Sequence, residues 1–532
     1  ALPPEMEVEL DFQRPQASER FVYAANPDGG TVAVINAMTR EIQTIETGRR
    51  PTFLRTLAGT DDAIVLNTGD DEATLIHAGS GEGEGERGRL PTTENVPVIE
   101  GANAIEVAPD GNHAVIYFDA ERAGPGDGFG DLQTVSVLSF GDGQAKAKVH
   151  GMSVGFKPRQ VAFRQDSERA YVVTENGISV LDFKAIDEEG SSIADTIAFD
   201  TGTGNESRDV SITPDGKYAV ARTPGQSTVS LVTLDSGQVT VLDLTTVYEP
   251  TDEEIAAAEQ DDDGDAGVAG AADGGLGPVV ESLDVTDLDI SRDGAFAAAV
   301  LRDRSAVMRI PLPGGFEDPS AIDTTWVEDQ IVGQVVLVPT GELALLYTTA
   351  VQSESMSVVD LSGDKDTRVV DLRKTVQGVA ISDDGRTALI IHSRKQENVN
   401  EPGISFDERV DRSFGYSLLR PSTGDVKLEL TDIAPGPYVL VPSGDYLFMT
   451  FRNDPMQIRE VQRVELETFL VNHPAFKLGS PPVSIGVVPT TGHVFVSQEH
   501  PEGRMTFIPW TTIDPKDVDT VTGFELNSRI RD

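Results

Sequence analysis

The sequence contains no cysteine. That absence removes several chemistries together: a disulfide framework, a thiolate zinc site, an iron–sulfur cluster, a covalently attached c-type haem and a cysteine nucleophile. Tryptophan is nearly absent, with only Trp326 and Trp510. Positive charge is thin: 42 Lys and Arg stand against 88 Asp and Glu, a formal net charge of −46 over 532 residues. Phosphate binding needs Lys and Arg to displace counterions, so nucleic acid is a poor partner, and anionic membrane surfaces are disfavoured for the same reason. No run of 18 apolar residues occurs, so no segment reads as a transmembrane helix. The composition fits a solvated acidic coat, against the sharper reading that the carboxylates select divalent cations. The chain opens on Ala1 rather than Met, which gives the expectation of a removed targeting segment and an exported protein, periplasmic or at the cell surface.

What the sequence does have is a hydrophobic fraction of 39%, enough for a core, and an internal period. An apolar run, a turn rich in Pro, Asp and Gly, and a second apolar run recur along the chain. The clearest copies turn at Pro109-Asp110-Gly111 and Pro214-Asp215-Gly216. Others turn at Asp293-Gly294, Pro339-Thr340-Gly341, Asp384-Gly385, Pro442-Ser443-Gly444 and Pro489-Thr490, with weaker ones at Asp61-Asp62 and Asp166-Ser167. A first copy is read in Glu7–Phe12, turning near Gln16 before Phe21-Val22-Tyr23. Pro presets φ for such turns, Asp bonds its own backbone and Gly supplies positive φ. Apart from two or three stretched intervals, the longest about 78, the period lies in the mid-to-upper forties, and that length holds four short strands. Four-stranded antiparallel units at this period are β-propeller blades.

The segments Phe21-Val22-Tyr23-Ala24-Ala25-Asn26 and Tyr171-Val172-Val173-Thr174-Glu175-Asn176, with Val32-Ala33-Val34-Ile35-Asn36 and Gly48 to Pro51, resemble the YVTN-type repeat family. The resemblance covers nearly the whole chain and implies a lactonase-like or surface-layer-like propeller. It speaks for fold and not for function. The tryptophan–aspartate repeat signature is absent, and tryptophan-rich quinoprotein blades and aspartate-box sialidases are disfavoured. The expected fold is therefore all-β: a single large propeller of eight to ten four-stranded blades spanning 1–532, with long loops on one face. Two smaller rings are the alternative; in addition, one repeat packing outside the ring, or the N-terminal copy completing the last blade, would lower the count.

With strands labelled A to D in each blade, A–B and C–D connections lie on one face and B–C and D–A connections on the other. Three long insertions fall on the second face: Glu121 to Gln133, Lys395 to Ser413, and the largest, Tyr248 to Ser282, within an acidic Gly/Asp-rich stretch at 248–282. A fourth, Gly79 to Glu94, belongs to the first face. In the largest, Thr251 to Glu254 forms a capping box ahead of a short helix. The run Asp261-Asp262-Asp263-Gly264-Asp265 follows, and Asp261, Asp263 and Asp265 are the residues that would hold calcium, a cation wanting six to eight oxygens. The glycine is misplaced for an EF-hand loop, and a flexible acidic linker is the competing reading.

No two of the seven histidines are three or four residues apart, and His473, His493 and His500 read as edge or loop residues. There is no phosphate-loop lysine motif, nucleophile elbow or dinucleotide fingerprint. The inner A strands carry polar side chains: Glu106, Arg159, Arg208, Asp209, Asp287, Asp289 and Gln377. They are candidates for a channel site, or simply solvated walls. The expected function is a non-catalytic exported propeller that binds a protein partner, or serves as a subunit of a larger assembly, through its loop-rich face. The alternative is a channel-centred hydrolase of lactonase type, calcium-assisted.

Overall fold

A computed structural model describes residues 15–78, 91–124, 130–140, 146–198, 209–246, 283–327, 329–339, 341, 343–362 and 367–525. The chain is all-β, with ten blades in a propeller arrangement. In each blade strands A to D pair with their neighbours in chain order and antiparallel, and blade 9 adds a short fifth strand at Phe476–Lys477. Blade 1 spans residues 16–46, blade 2 51–97, blade 3 104–153, blade 4 158–198, blade 5 209–243, blade 6 285–326, blade 7 334–371, blade 8 376–431, blade 9 435–477 and blade 10 482–522.

Two compact units divide the chain. Unit 1 holds blades 5 to 7. Its core lies between blades: Leu231 and Val229 of blade 5 pack with Leu301 and Met308 of blade 6, and Val300 and Val307 of blade 6 with Leu346 and Val359 of blade 7. Unit 2 holds blades 8 to 10 and 1 to 4, joined by the same kind of seam. Inside each unit a blade with neighbours on both sides is covered on both faces, so its middle strands read as continuous apolar runs rather than alternating ones. Ala63–Asn67 and Phe296–Leu301 are buried throughout.

Three of the A–B turns share one plan. In Thr213–Tyr218 the Thr213 hydroxyl donates to Asp215 (2.8 Å) and accepts from Tyr218 N (3.0 Å). Ser291/Asp293 and Ser382/Asp384 repeat it. The turns of successive blades stack closely. A Cβ on Gly111, at φ +71°, would lie 2.5 Å from Ala58 O, and one on Gly444 would meet the Asp384 carboxylate. Only glycine fits both the conformation and the approach.

Nine of the predicted turns join strands A and B of their blades. The first does not: Gln16–Ala17 is itself strand A, paired with Tyr23 and Val22, so the turn falls at 18–20. Ser18 accepts from Phe21 N at 3.2 Å and forms a tighter corner than the Pro-Asp-Gly copies. The predicted strand Glu7–Phe12 lies outside the described residues. Among the described residues blade 10 takes all four of its strands from 482–522. Blades 10 and 1 meet through side chains: Val22 and Ile35 pack against Phe495 and Phe507, Arg40 pairs with Asp519 at 3.2 Å, and Asn26 donates to Glu525 O at 3.2 Å.

Candidate functional site

In unit 1 the inner-strand carboxylates of blade 6 act as clamps on blade 7. Asp287 accepts Leu288 N on one oxygen and Val335 N on the other, both at 2.8 Å. Two residues on, Asp289 accepts Ile290 N and Leu337 N in the same way, also at 2.8 Å. Alternate residues of a strand share a face, so the pair stitches one inner strand to the next. Burial pushes the Asp289 carboxyl up, against the two backbone N–H groups that pull it down. Thr286 adds a bond to Gly333 O at 2.8 Å. Asp209 pairs with Arg222, whose guanidinium also donates to Val285 O at 3.0 Å. Arg208 lies outside the described residues, as do Asp261, Asp263, Asp265 and the 248–282 insertion.

In unit 2, Glu106 receives Arg55 at 3.2 Å, and Arg55 also donates to Ile105 O. Burial raises the Glu106 carboxyl, and Arg55 and Arg122 oppose it. Arg122 pairs with the buried Asp119 at 3.1 Å, and Arg159 with Glu121 at 3.2 Å. These charges link the inner strands of blades 2 to 4 to the start of the B–C loop of blade 3. Arg159 and Gln377 each sit where strand A slips register by one residue against strand B. Thr52 and Val483 occupy the same place in blades 2 and 10. Such a bulge re-aims its extra residue, here at the loop-rich end of the inner strand.

The insertion between Lys395 and Ser413 is a built structure. Ser405 caps the helix Phe406–Arg412, accepting Glu408 N at 3.1 Å while its own N–H donates to Glu408 at 2.9 Å. The other end rests on Lys374, whose side chain is buried and donates to Val410 O (2.7 Å) and Ser413 O (2.9 Å). Cations are favourable at helix C-termini, where the last carbonyls lack partners. Arg412, also buried, is held by Glu397 (2.7 Å), Glu401 (2.6 Å) and Asn398 O (3.0 Å). Beneath, His392 donates Nδ1–H to Thr375 O (3.2 Å) and accepts from Ser417 (2.7 Å), and burial lowers its pKa to about 4.

A second polar cluster escapes sequence reading because its members come from two blades. Asp187, on the helix Phe183–Glu189 of blade 4, meets Ser139 at 2.5 Å, His113 at 3.1 Å and His150 at 3.6 Å, from three adjacent strands of blade 3. Burial works to raise the Asp187 carboxyl, but the Ser139 and His113 bonds and both imidazoles outweigh it and hold it below the usual range. Phe183 stacks on His113 at 4.1 Å. Ser139 bonds one carboxylate oxygen and His113 the other, which makes the cluster a latch for the helix. No three His, Asp or Glu are grouped as metal ligands among the described residues, and no helix there is long and apolar enough to cross a membrane. His493 opens a strand B, as expected, and bonds Thr491 O at 2.7 Å.

No known family model matches the chain, and no curated protein does. The chain is similar to the solved structure of dihydro-heme d1 dehydrogenase NirN in complex with DHE, at 12% identity over 74% of this chain and 72% of that one, with a TM-score of 0.40. It is similar to the β-propeller domain of Cps50 (Swd1) from Myceliophteria thermophila, at 11% identity over 70% of this chain and 98% of that one, TM-score 0.35. A eukaryotic initiation factor aligns at 11% identity over 88% and 96%, TM-score 0.43. Likenesses this distant carry no argument about activity, and the YVTN-type resemblance holds at the level of the β-propeller fold.

Proposed function

We propose that this protein is a non-catalytic binding propeller that joins a larger assembly through its B–C and D–A face. The observation that carries the reading is the Lys395–Ser413 insertion. A buried lysine and a buried arginine hold its backbone, with a capped helix between them. Loops fixed on a rigid scaffold are where propellers and other β folds place recognition. The inner-strand carboxylates support the same reading from the other side. Asp287 and Asp289 have both oxygens engaged by backbone amides, and Glu106 faces a guanidinium. The test is native mass spectrometry of the full chain isolated gently from its own source. The expected result is a mass above 56.9 kDa by whole-protein increments. A bare monomer that turns over a lactone, and loses that activity with Glu106→Gln, would favour the hydrolase instead.

A further inference from the structure

We propose that blades 8 to 10 of unit 2 dock a cationic protein surface, with Phe406 and Met456 as the apolar anchors. The inference rests on the binding reading above and names the surface and the kind of partner. Phe406 is 67% exposed, Met456 60% and Val483 48%. They belong to three successive blades, and all lie at the B–C and D–A end: Phe406 in the B–C insertion of blade 8, Met456 at the B–C hairpin tip of blade 9, Val483 at the bulge opening strand A of blade 10.

An isolated exposed apolar residue is ordinary. What sets these apart is how their backbones are held. Phe406 is the first residue of the capped helix whose far end rests on Lys374. Met456 tops a hairpin whose strands, Tyr446–Asn453 and Ile458–Glu465, are eight residues each. Its N–H donates to Asn453 at 3.1 Å, and Arg452 ties the hairpin to Asp454 (2.7 Å) and to Glu499 of blade 10 (2.8 Å). Blades 8 and 9 share one core, Leu389 and Tyr416 with Met449 and Phe451, so the two projections keep their spacing. Preorganised anchors lose little entropy on binding, and a few such side chains carry most of an interface's energy.

Charge selects the occupant. Most cations nearby are already engaged: Arg412 by Glu397 and Glu401, Lys395 by Asp411, Arg452 by Asp454 and Glu499, and Arg394 on the Phe414 ring, while Arg459 bonds Gln457 and Gly479 O. Asp407 and Glu408 flank Phe406 on the exposed side, with Arg409 beyond them. At a net charge of −46, a second copy, nucleic acid and anionic lipid are all repelled. A protein surface with apolar pockets rimmed by Lys and Arg is the complementary class.

The experiment compares the full chain with Phe406→Ser/Met456→Ser and with Met38→Ser/Ile513→Ser. The latter removes equally exposed side chains, 61% each, from C–D turns on the opposite face. Each protein is expressed in its own source and its mass read natively. The expected result is a partner mass on the wild type and on the C–D variant, reduced at least tenfold on the Phe406/Met456 variant. It is released when NaCl rises from about 0.05 M to about 0.5 M, as screening requires. A partner retained by the Phe406/Met456 variant, lost from the C–D variant, insensitive to salt, or equal in mass to this chain would overturn the inference and leave the binding reading standing. A wild type that is a bare monomer would overturn both.

Discussion

Asp287 and Asp289 show how much a side chain's neighbours decide its role. An inner-strand carboxylate in a propeller could serve as a general base, but both oxygens of each are already bonded to peptide N–H groups, one local and one from blade 7. Asparagine has one carbonyl oxygen, so its NH2 would face one of those amides. Asp289→Asn should therefore lower stability by about 1–3 kcal/mol, the cost of a buried donor left unsatisfied. Urea denaturation measures it, and an unchanged midpoint would mean the clamp carries no load. His392 makes the opposite kind of statement. Its pKa falls to about 4 through burial, so between that value and the usual 6.5 the unfolded chain binds more protons. Stability must then rise with pH across that window and be lost as pH drops through it. From pH 7 to pH 5 the wild type should lose about 2 kcal/mol more than His392→Gln, whose amide can meet Ser417 and Thr375 without titrating. Parallel curves for the two proteins would remove His392 as the cause.

At the level of elements, the A–B turns were legible because their chemistry is local. Asp215, Asp293 and Asp384 each bond residues within the same turn, and a glycine in the left-handed region follows each. The first turn misleads for the same reason: without Pro-Asp-Gly, only the pairing of Gln16 with Tyr23 sets its place. The Lys395–Ser413 insertion was legible as a long B–C loop, but its capped helix and the anchor at the far end of that helix were not, since Lys374 reaches Val410 O from 36 residues away. The Asp187 latch joins His113 from 74 residues away, beyond any periodicity. Channel candidates could be located on inner strands but not assigned, because their partners sit on the next blade. Lys374 gives the sharpest test at this scale. Lys374→Met keeps the apolar stem and removes the donors to Val410 O and Ser413 O. Hydrogen exchange at the Arg409 and Ser413 amides should speed at least tenfold, while strand Ala388–His392 stays protected. Uniform protection would show that the loop does not depend on the lysine.

For the whole molecule the dominant quantity is charge. A surface at −46 repels itself, and the repulsion is long-ranged at about 0.01 M salt, where the Debye length is about 30 Å, and short-ranged near 0.15 M, where it is about 8 Å. Folding concentrates the carboxylates, so the native state carries more of this cost than the unfolded chain. The melting temperature should rise by several degrees between those two salt concentrations, and equally with NaCl and NaClO4, because screening depends on ionic strength and not on ion type. A flat response would mean that the net repulsion is nearly the same in the folded and unfolded chains. Calcium separates a general coat from a specific site. At matched ionic strength a coat gives Ca2+ and Mg2+ the same effect, whereas a site stabilises in proportion to its occupancy. A calcium-specific excess that disappears with Asp261→Asn/Asp263→Asn would place the ion in the acidic insertion. Equal shifts for the two cations would leave those aspartates as part of the coat.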